Sequence, residues 1–264
     1  MFLTKMKNKK LILGVILLIV ALVMIVFGIK YMSDQNKDET ASTNDESSLT
    51  SDSAETSESK EEKVDFSKLT LPQLSNVVAE NETELEIVTS MGSIKVKLFP
   101  ELAPKAVENF VKHSKDGYYN GTPFHRVINE FMIQGGDPQG NGTGGESIWG
   151  KPFGVEKTPE LYHIRGALAM AKTNDPISIG SQFYIVQNDQ DQSSQVSADD
   201  MPEKIVEAYK KGGTPFLDGQ YTVFGQVIEG MDIVDKIAAL PVGANDKPNE
   251  EVTVQQINVI KEAN

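Results

Sequence analysis

Strict alternation of apolar and polar positions first appears in ELEIVTSMGSIKVKLF, residues 84–99, where Leu85 and Ile87, then Ile94, Val96 and Leu98, occupy every second place. A period of two puts those five side chains on one face, so the segment reads as a hairpin turning at Met91–Gly92. The period then changes. Ala106, Val107, Phe110 and Val111 form a stripe at helical spacing, with Pro104 in the first turn and Gly117 placed to end it. Short apolar segments follow between glycine-rich turns: FHRVI, FMIQGG, ALAMA, QFYIV and YTVFGQVI. A helix is expected over Met231–Leu240, stopped by Pro241, and a last, partly alternating strand over 252–260. A Gln- and Asp-rich stretch at 187–214 interrupts the strand rhythm; within it Ile205, Val206 and Tyr209 give one face of a short helix from Pro202 to Lys211. Many short strands with two or three helices and no internal repeat predict an antiparallel sheet closed as a barrel or sandwich.

The amino-terminal quarter follows other rules. Leu11–Ile29 is an unbroken run of 19 uncharged, mostly apolar residues behind Lys5, Lys7, Lys9 and Lys10. As a helix it would cover roughly 28 Å, close to the hydrocarbon core of a bilayer. The lysines place the amino end in the cytoplasm and everything after residue 32 outside. A cleaved secretory signal is the alternative, but the run is long for one and GIKYMSD offers no Ala-x-Ala site. Residues 33–65 hold 12 Ser or Thr and 11 Asp or Glu against three lysines, too few apolar groups for a core. That segment reads as a disordered acidic linker, spanning on the order of 30 Å. Three parts are thus expected: a basic stub with a membrane anchor over 1–32, the linker over 33–65, and a folded domain over 66–264.

Charge and composition narrow the chemistry. A formal net charge of −13 argues against a nucleic-acid partner. The chain has no cysteine, which excludes a disulfide framework, thiolate metal ligation and a Cys nucleophile. Three histidines, His113, His125 and His163, leave little for a metal site, and no metal or other cofactor is expected. GNGTGG at 140–145 lacks a following GK[ST] and reads as a backbone turn.

FHRVINEFMIQGGD at 124–137 resembles the cyclophilins, a barrel family of peptidyl-prolyl cis–trans isomerases. NGTGGESIWG at 141–150, GALAMA at 166–171, SQFYI at 181–185 and FLDGQYTVFG at 216–225 agree in order, so the resemblance covers 84–260. It implies a mainly β fold: a closed eight-stranded antiparallel barrel with two capping helices and a substrate groove on its outside. It also implies site residues. Arg126 matches the arginine that faces the substrate's proline, and Phe131, Met132 and Gln134 match groove positions. Ala171 and Gln182 match further groove positions, with Lys172 contributing backbone, while Tyr184, Leu217 and Tyr221 fall where the prolyl pocket is built. Tyr184 replaces a usual phenylalanine, Tyr221 a usual histidine, and Phe216 a frequent tryptophan. The first two keep an apolar lining; the third implies weak rather than tight cyclosporin binding. Residues 187–214 depart from the family's pattern as an insertion in the folded domain.

These residue types suit rotation about an X–Pro bond, whose barrier is ~18–20 kcal/mol. Rotation breaks amide resonance and leaves a lone pair on the prolyl nitrogen, so a catalyst needs a donor there and an apolar seat for the ring. Arginine supplies a permanently charged, forked donor. His125 should be structural, since Arg126 beside it points to the opposite face. The expectation is an isomerase acting on proline-containing segments of exported polypeptides, held at the membrane through residues 11–29. The rival reading is a peptide-holding module without catalysis, with 187–214 as a partner surface; a purely structural surface protein is weaker still.

Overall fold

The computed structural model describes residues 64–264; the expected membrane segment and all but the end of the acidic linker lie outside them. Eight strands form one curled antiparallel sheet, in the order β3-β4-β6-β5-β7-β2-β1-β8. They are β1 (Thr83–Thr89), β2 (Gly92–Leu98), β3 (Arg126–Ile128), β4 (Met132–Gly135), β5 (Ala167–Met170), β6 (Phe183–Val186), β7 (Val223–Glu229) and β8 (Val254–Lys261). Among the described residues three α-helices accompany them: α1 (Pro104–Lys115), α2 (Glu203–Tyr209) and α3 (Met231–Ala238). Among the described residues no helix is long and apolar enough to cross a membrane.

The β1–β2 hairpin pairs Ile87 with Ile94 and Thr89 with Gly92. The turn is therefore Ser90–Met91, one residue earlier than the alternation suggested. Thr89 fixes it: its Oγ1 donates to the Gly92 carbonyl at 2.7 Å and accepts from the Met91 N–H at 3.1 Å. The inward positions of both strands, Leu85, Ile87, Ile94, Val96 and Leu98, are fully buried.

β3 and β8 end the hydrogen-bonded ladder, so the sheet itself stops short of the full ring of strands expected. Backbone just ahead of the two edge strands joins them: Phe124 N–H donates to Val252, Gly121 N–H to Val254, and Val254 N–H to Thr122. Pro123, opposite Thr253 in this seam, has no N–H, so a regular ladder is not continued there.

α1 packs against β8, and α3 reaches β2, β3 and β4, so it lies across one mouth of the curl. At the start of α1, Pro104 takes the first helical position, and Glu156 accepts from the free N–H groups of Lys105 and Ala106. At its end Gly117 takes φ +68°; its N–H bonds to Ser114 and the Tyr118 N–H returns to His113, a Schellman closure. The interior holds Phe110, Tyr119, Phe183 and Phe224, with neighbouring ring centroids 5.2–5.5 Å apart.

The insertion folds too. Ile205 and Tyr209 of α2 pack with Tyr162, Ile164 and Met201 in a small separate core. Asn188 and Gly213 exchange hydrogen bonds at its neck. Ahead of β1, Gln73 is buried between Tyr162 and Gln226, binding both Tyr162 backbone groups. The first turn of the described residues is the 3₁₀ turn Phe66–Lys68, ahead of this contact.

Burial lowers the pKa of His113 and His125 below the usual 6.5. Both ring nitrogens of His125 are buried without a partner among the described residues. Between each folded pKa and 6.5 the unfolded chain holds the proton and the native chain does not, so stability falls on acidification. The melting temperature is expected to drop between pH 7.5 and 5.5, and the drop should be smaller in His125→Phe, read by calorimetry across pH.

Candidate active site

The outward face of β3, β4, β6 and β5 carries one row of directly opposed residues. Arg126 faces Gln134, Gln134 faces Tyr184, and Tyr184 faces Ala169. Opposed residues share a face, so the register alone gathers a cation, a carboxamide and a phenol. Val127, Ile133 and Ile185, one position along, point into the main core. Arg126, Met132, Gln134 and Tyr184 therefore sit on the second, outer face, where Met132 and Tyr184 pack with Phe131, Ala171, Leu217 and Tyr221.

The β3–β4 turn is tight, with Glu130 at φ +60° and its N–H held by Gln187 Oε1 at 2.8 Å. It delivers Phe131 to the rim, where the Phe131 carbonyl accepts from the Gln187 and Asn188 N–H groups. Between these walls lies a cavity of about 120 Å³, lined by Arg126, Phe131, Met132, Gln134, Ala171, Lys172, Tyr184, Leu217 and Tyr221. That is well below the ~300–1,000 Å³ typical of drug-sized ligands. Two expected residues stand just outside it. Phe216, 57% exposed, stacks on Phe131 at 5.9 Å between centroids. Gln182 lines an adjoining cavity of about 420 Å³ that shares Gln134, Ala171 and Lys172 with the first. Lys172, expected through its backbone, brings its side chain to this wall, with Nζ 4.5 Å from the centre of the Tyr221 ring.

The polar groups are held in place. Gln134 Nε2 donates to Gln182 Oε1 at 2.9 Å, and Gln182 Nε2 donates to the carbonyls of Gly142 and Gly144. This fixes both amides and leaves Gln134 its carbonyl oxygen as an acceptor. Arg126 Nε lies 3.4 Å from Asp246 Oδ2, while its two Nη groups have no partner among the described residues. Asp246 and Asn245 are both left-handed, at φ +58° and +59°, a conformation Asp and Asn tolerate better than most residues.

The loop supplying the Gly142 and Gly144 carbonyls closes over Asp137. Burial raises the Asp137 pKa, but the N–H groups of Gln139, Gly144, Gly142 and Asn141 outweigh it and the net shift is downward. Those N–H groups are already taken by Asp137, consistent with a backbone turn at 140–145 rather than a phosphate cradle. Asp137→Asn is expected to cost about 2 kcal/mol in denaturant unfolding at pH 7. A depressed carboxyl pKa stabilises above the unfolded value near 3.8 and ceases to as pH falls through the folded value, so the deficit should vanish in strong acid.

Asp246, His163 and Asp218 were not marked as site residues by the sequence, yet they touch Arg126 or Tyr184 or stand one bond behind them. His125, expected to be structural, is buried beside the loop at Gly142.

The fold and site together are a curled eight-stranded antiparallel sheet with a small apolar pocket on its outer face and an arginine at the rim. The model of the family described as cyclophilin type peptidyl-prolyl cis–trans isomerase matches residues 84–259. This chain belongs to that family. It is 50% identical over 194 residues to a Staphylococcus saprophyticus protein named as a peptidyl-prolyl cis–trans isomerase, covering 72% of this chain and 98% of the other. A Staphylococcus aureus relative of the same name is 48% identical over 192 residues, covering 71% and 97%. A solved Cryptosporidium parvum cyclophilin is 35% identical with a TM-score of 0.57, covering 69% of this chain and 99% of that one. The same protein, solved in the presence of the dipeptide Ala-Pro, matches with a TM-score of 0.56, covering 68% and 99%.

Proposed function

We propose that this enzyme accelerates X–Pro rotation in polypeptides that have left the cytoplasm, seating the prolyl ring in the 120 Å³ cavity beneath Arg126. The observation that carries this is convergence: the Arg126 Nη groups, unpartnered among the described residues, the fixed Gln134 amide and the Phe131–Met132–Tyr184–Leu217–Tyr221 wall meet at one small pocket. The reaction makes and breaks no covalent bond, so a nucleophile or general base is not required. Arg126 donates to the prolyl nitrogen as it pyramidalises, an interaction that exists only near the transition state. Gln134 receives a peptide N–H, and the adjoining cavity beside Gln182 takes residues before the proline. The seam at 121–124 and 252–254 completes the sheet as the family's closed barrel, with α1 and α3 over it.

Bringing a ~100 s process to milliseconds asks for roughly 10⁵-fold, or about 7 kcal/mol. A charge-assisted hydrogen bond supplies ~1.5–3 kcal/mol. The rest comes from an apolar seat that favours the less polar twisted amide and from a preorganised peptide site.

Placement outside the membrane is supported by the 19-residue apolar run behind four lysines and the acidic segment after it. Phe216 has no indole N–H and stands outside the cavity, which supports weak cyclosporin binding. The full chain should speed cis–trans exchange of a proline tetrapeptide by NMR, and protease outside right-side-out vesicles should remove the folded domain. No acceleration, or a protected domain, overturns the respective half.

A further inference from the structure

Tyr184 differs from the usual phenylalanine by one hydroxyl, and a hydroxyl facing a prolyl ring would be an unpaired polar group in an apolar seat. The structure gives that hydroxyl another partner. Tyr184 OH lies 3.0 Å from His163 Nε2, and His163 is 1% exposed. On its other side, His163 Nδ1 is 2.9 Å from Asp218 Oδ1, which also accepts the His163 backbone N–H at 2.8 Å. Asp218 Oδ2 accepts from Tyr209 OH at 2.5 Å, and Tyr209 belongs to α2 in the insertion, fully buried. Asp218 Oδ1 already accepts the His163 backbone N–H, and with Nδ1 donating to the same oxygen the other ring nitrogen, Nε2, is the acceptor to which the Tyr184 O–H donates. Burial pushes the Tyr184 phenol well above its usual range, so that proton stays in place. The His163 carbonyl is tied as well, to the Thr214 N–H at the end of the insertion.

We propose that His163 is a positioning residue of the prolyl pocket, drawing the Tyr184 hydroxyl away from the substrate ring, and that the 187–214 insertion braces it through Tyr209 and Asp218. The insertion does not line the cavity; it holds the wall from behind. The wall then presents an aromatic ring with no free donor, as phenylalanine would. This rests on the reading that the prolyl ring occupies this cavity.

The test uses the full chain and steady-state isomerisation of a proline tetrapeptide. His163→Leu removes the acceptor and leaves the Tyr184 O–H to seek a partner in the cavity. A rise in KM of roughly tenfold is expected with kcat changed less than threefold, because ring seating serves ground and transition states alike. In His163→Leu/Tyr184→Phe no orphan hydroxyl remains, and KM should return to within about threefold of wild type. A merely structural role would lower the melting temperature without moving KM, and Tyr184→Phe would not restore it. An unchanged KM in His163→Leu, or a double variant as impaired as the single, overturns the proposal. Should His163→Leu fail to fold, Tyr209→Phe loosens the same chain from its far end: KM should rise about threefold in the Tyr184 chain and not in the Tyr184→Phe chain. An equal rise in both overturns it. If wild type shows no acceleration at all, the pocket reading itself is lost, an outcome distinct from failed rescue.

Discussion

Arg126→Ala is expected to lower kcat/KM for a proline tetrapeptide by about 10²-fold, with the loss mainly in kcat. The estimate follows from what the side chain can supply. Its Nη groups are free among the described residues and stand at the rim of a cavity walled by Phe131, Met132, Tyr184, Leu217 and Tyr221. The resting amide nitrogen has no lone pair to offer them, and the twisted one does. A charge-assisted bond formed only there is worth up to about 3 kcal/mol, a little over 10² in rate. Arg126→Lys should recover only part of it, since a point ammonium lacks the forked geometry. Asp246 sets a limit on the effect: at 3.4 Å, with both side chains more than 40% exposed, the pair holds Nε loosely and leaves the Nη groups usable. Retention of more than half the activity in Arg126→Ala would sink the assignment, and the pocket would then act through desolvation alone.

How much of this site the sequence disclosed depended on how local its parts are. Arg126, Phe131, Met132 and Gln134 come from one strand-turn-strand unit, β3 to β4, and their order survives as a readable block. Tyr184 joins them only through the Gln134–Tyr184 register, which the resemblance supplied and periodicity did not. The partners behind them lie far along the chain: Asp246 is 120 residues from Arg126, and Asp218 is 55 from His163. A lone aspartate in a loop carries no periodic signal, so nothing in its neighbourhood announced those contacts. The hairpin shows a subtler limit. Ile94 and Val96 share a face, so alternation is equally satisfied whether Ile87 pairs with one or the other; hydrogen bonding within the Ser90–Met91 turn chose Ile94.

Lys97 carries the same lesson into energetics and the second large effect. Alternation in IKVKL assigns Lys95 and Lys97 alike to the polar face of β2. Lys95 behaves accordingly, in a half-exposed pair with Glu229. Lys97 instead is 1% exposed, because residues 77–82 fold over that part of the face. Its Nζ meets both oxygens of Glu82 at 3.0 Å and the Val77 carbonyl at 3.0 Å, while Glu82 also accepts the Ala79 N–H. Lys97→Met strands a buried carboxylate and should cost about 3–5 kcal/mol. For a domain of this size that is a fall in melting temperature of roughly 10 °C. Lys97→Met/Glu82→Leu removes both charges and should recover part of the loss, short of wild type because Val77 O and Ala79 N–H lose their partners. Folded Lys97→Met should keep the wild-type kcat/KM at low temperature, since neither residue lines the groove. A double variant less stable than Lys97→Met would mean that the hydrogen bonds to the 77–82 backbone, and not the relief of an unpaired charge, dominate this contact.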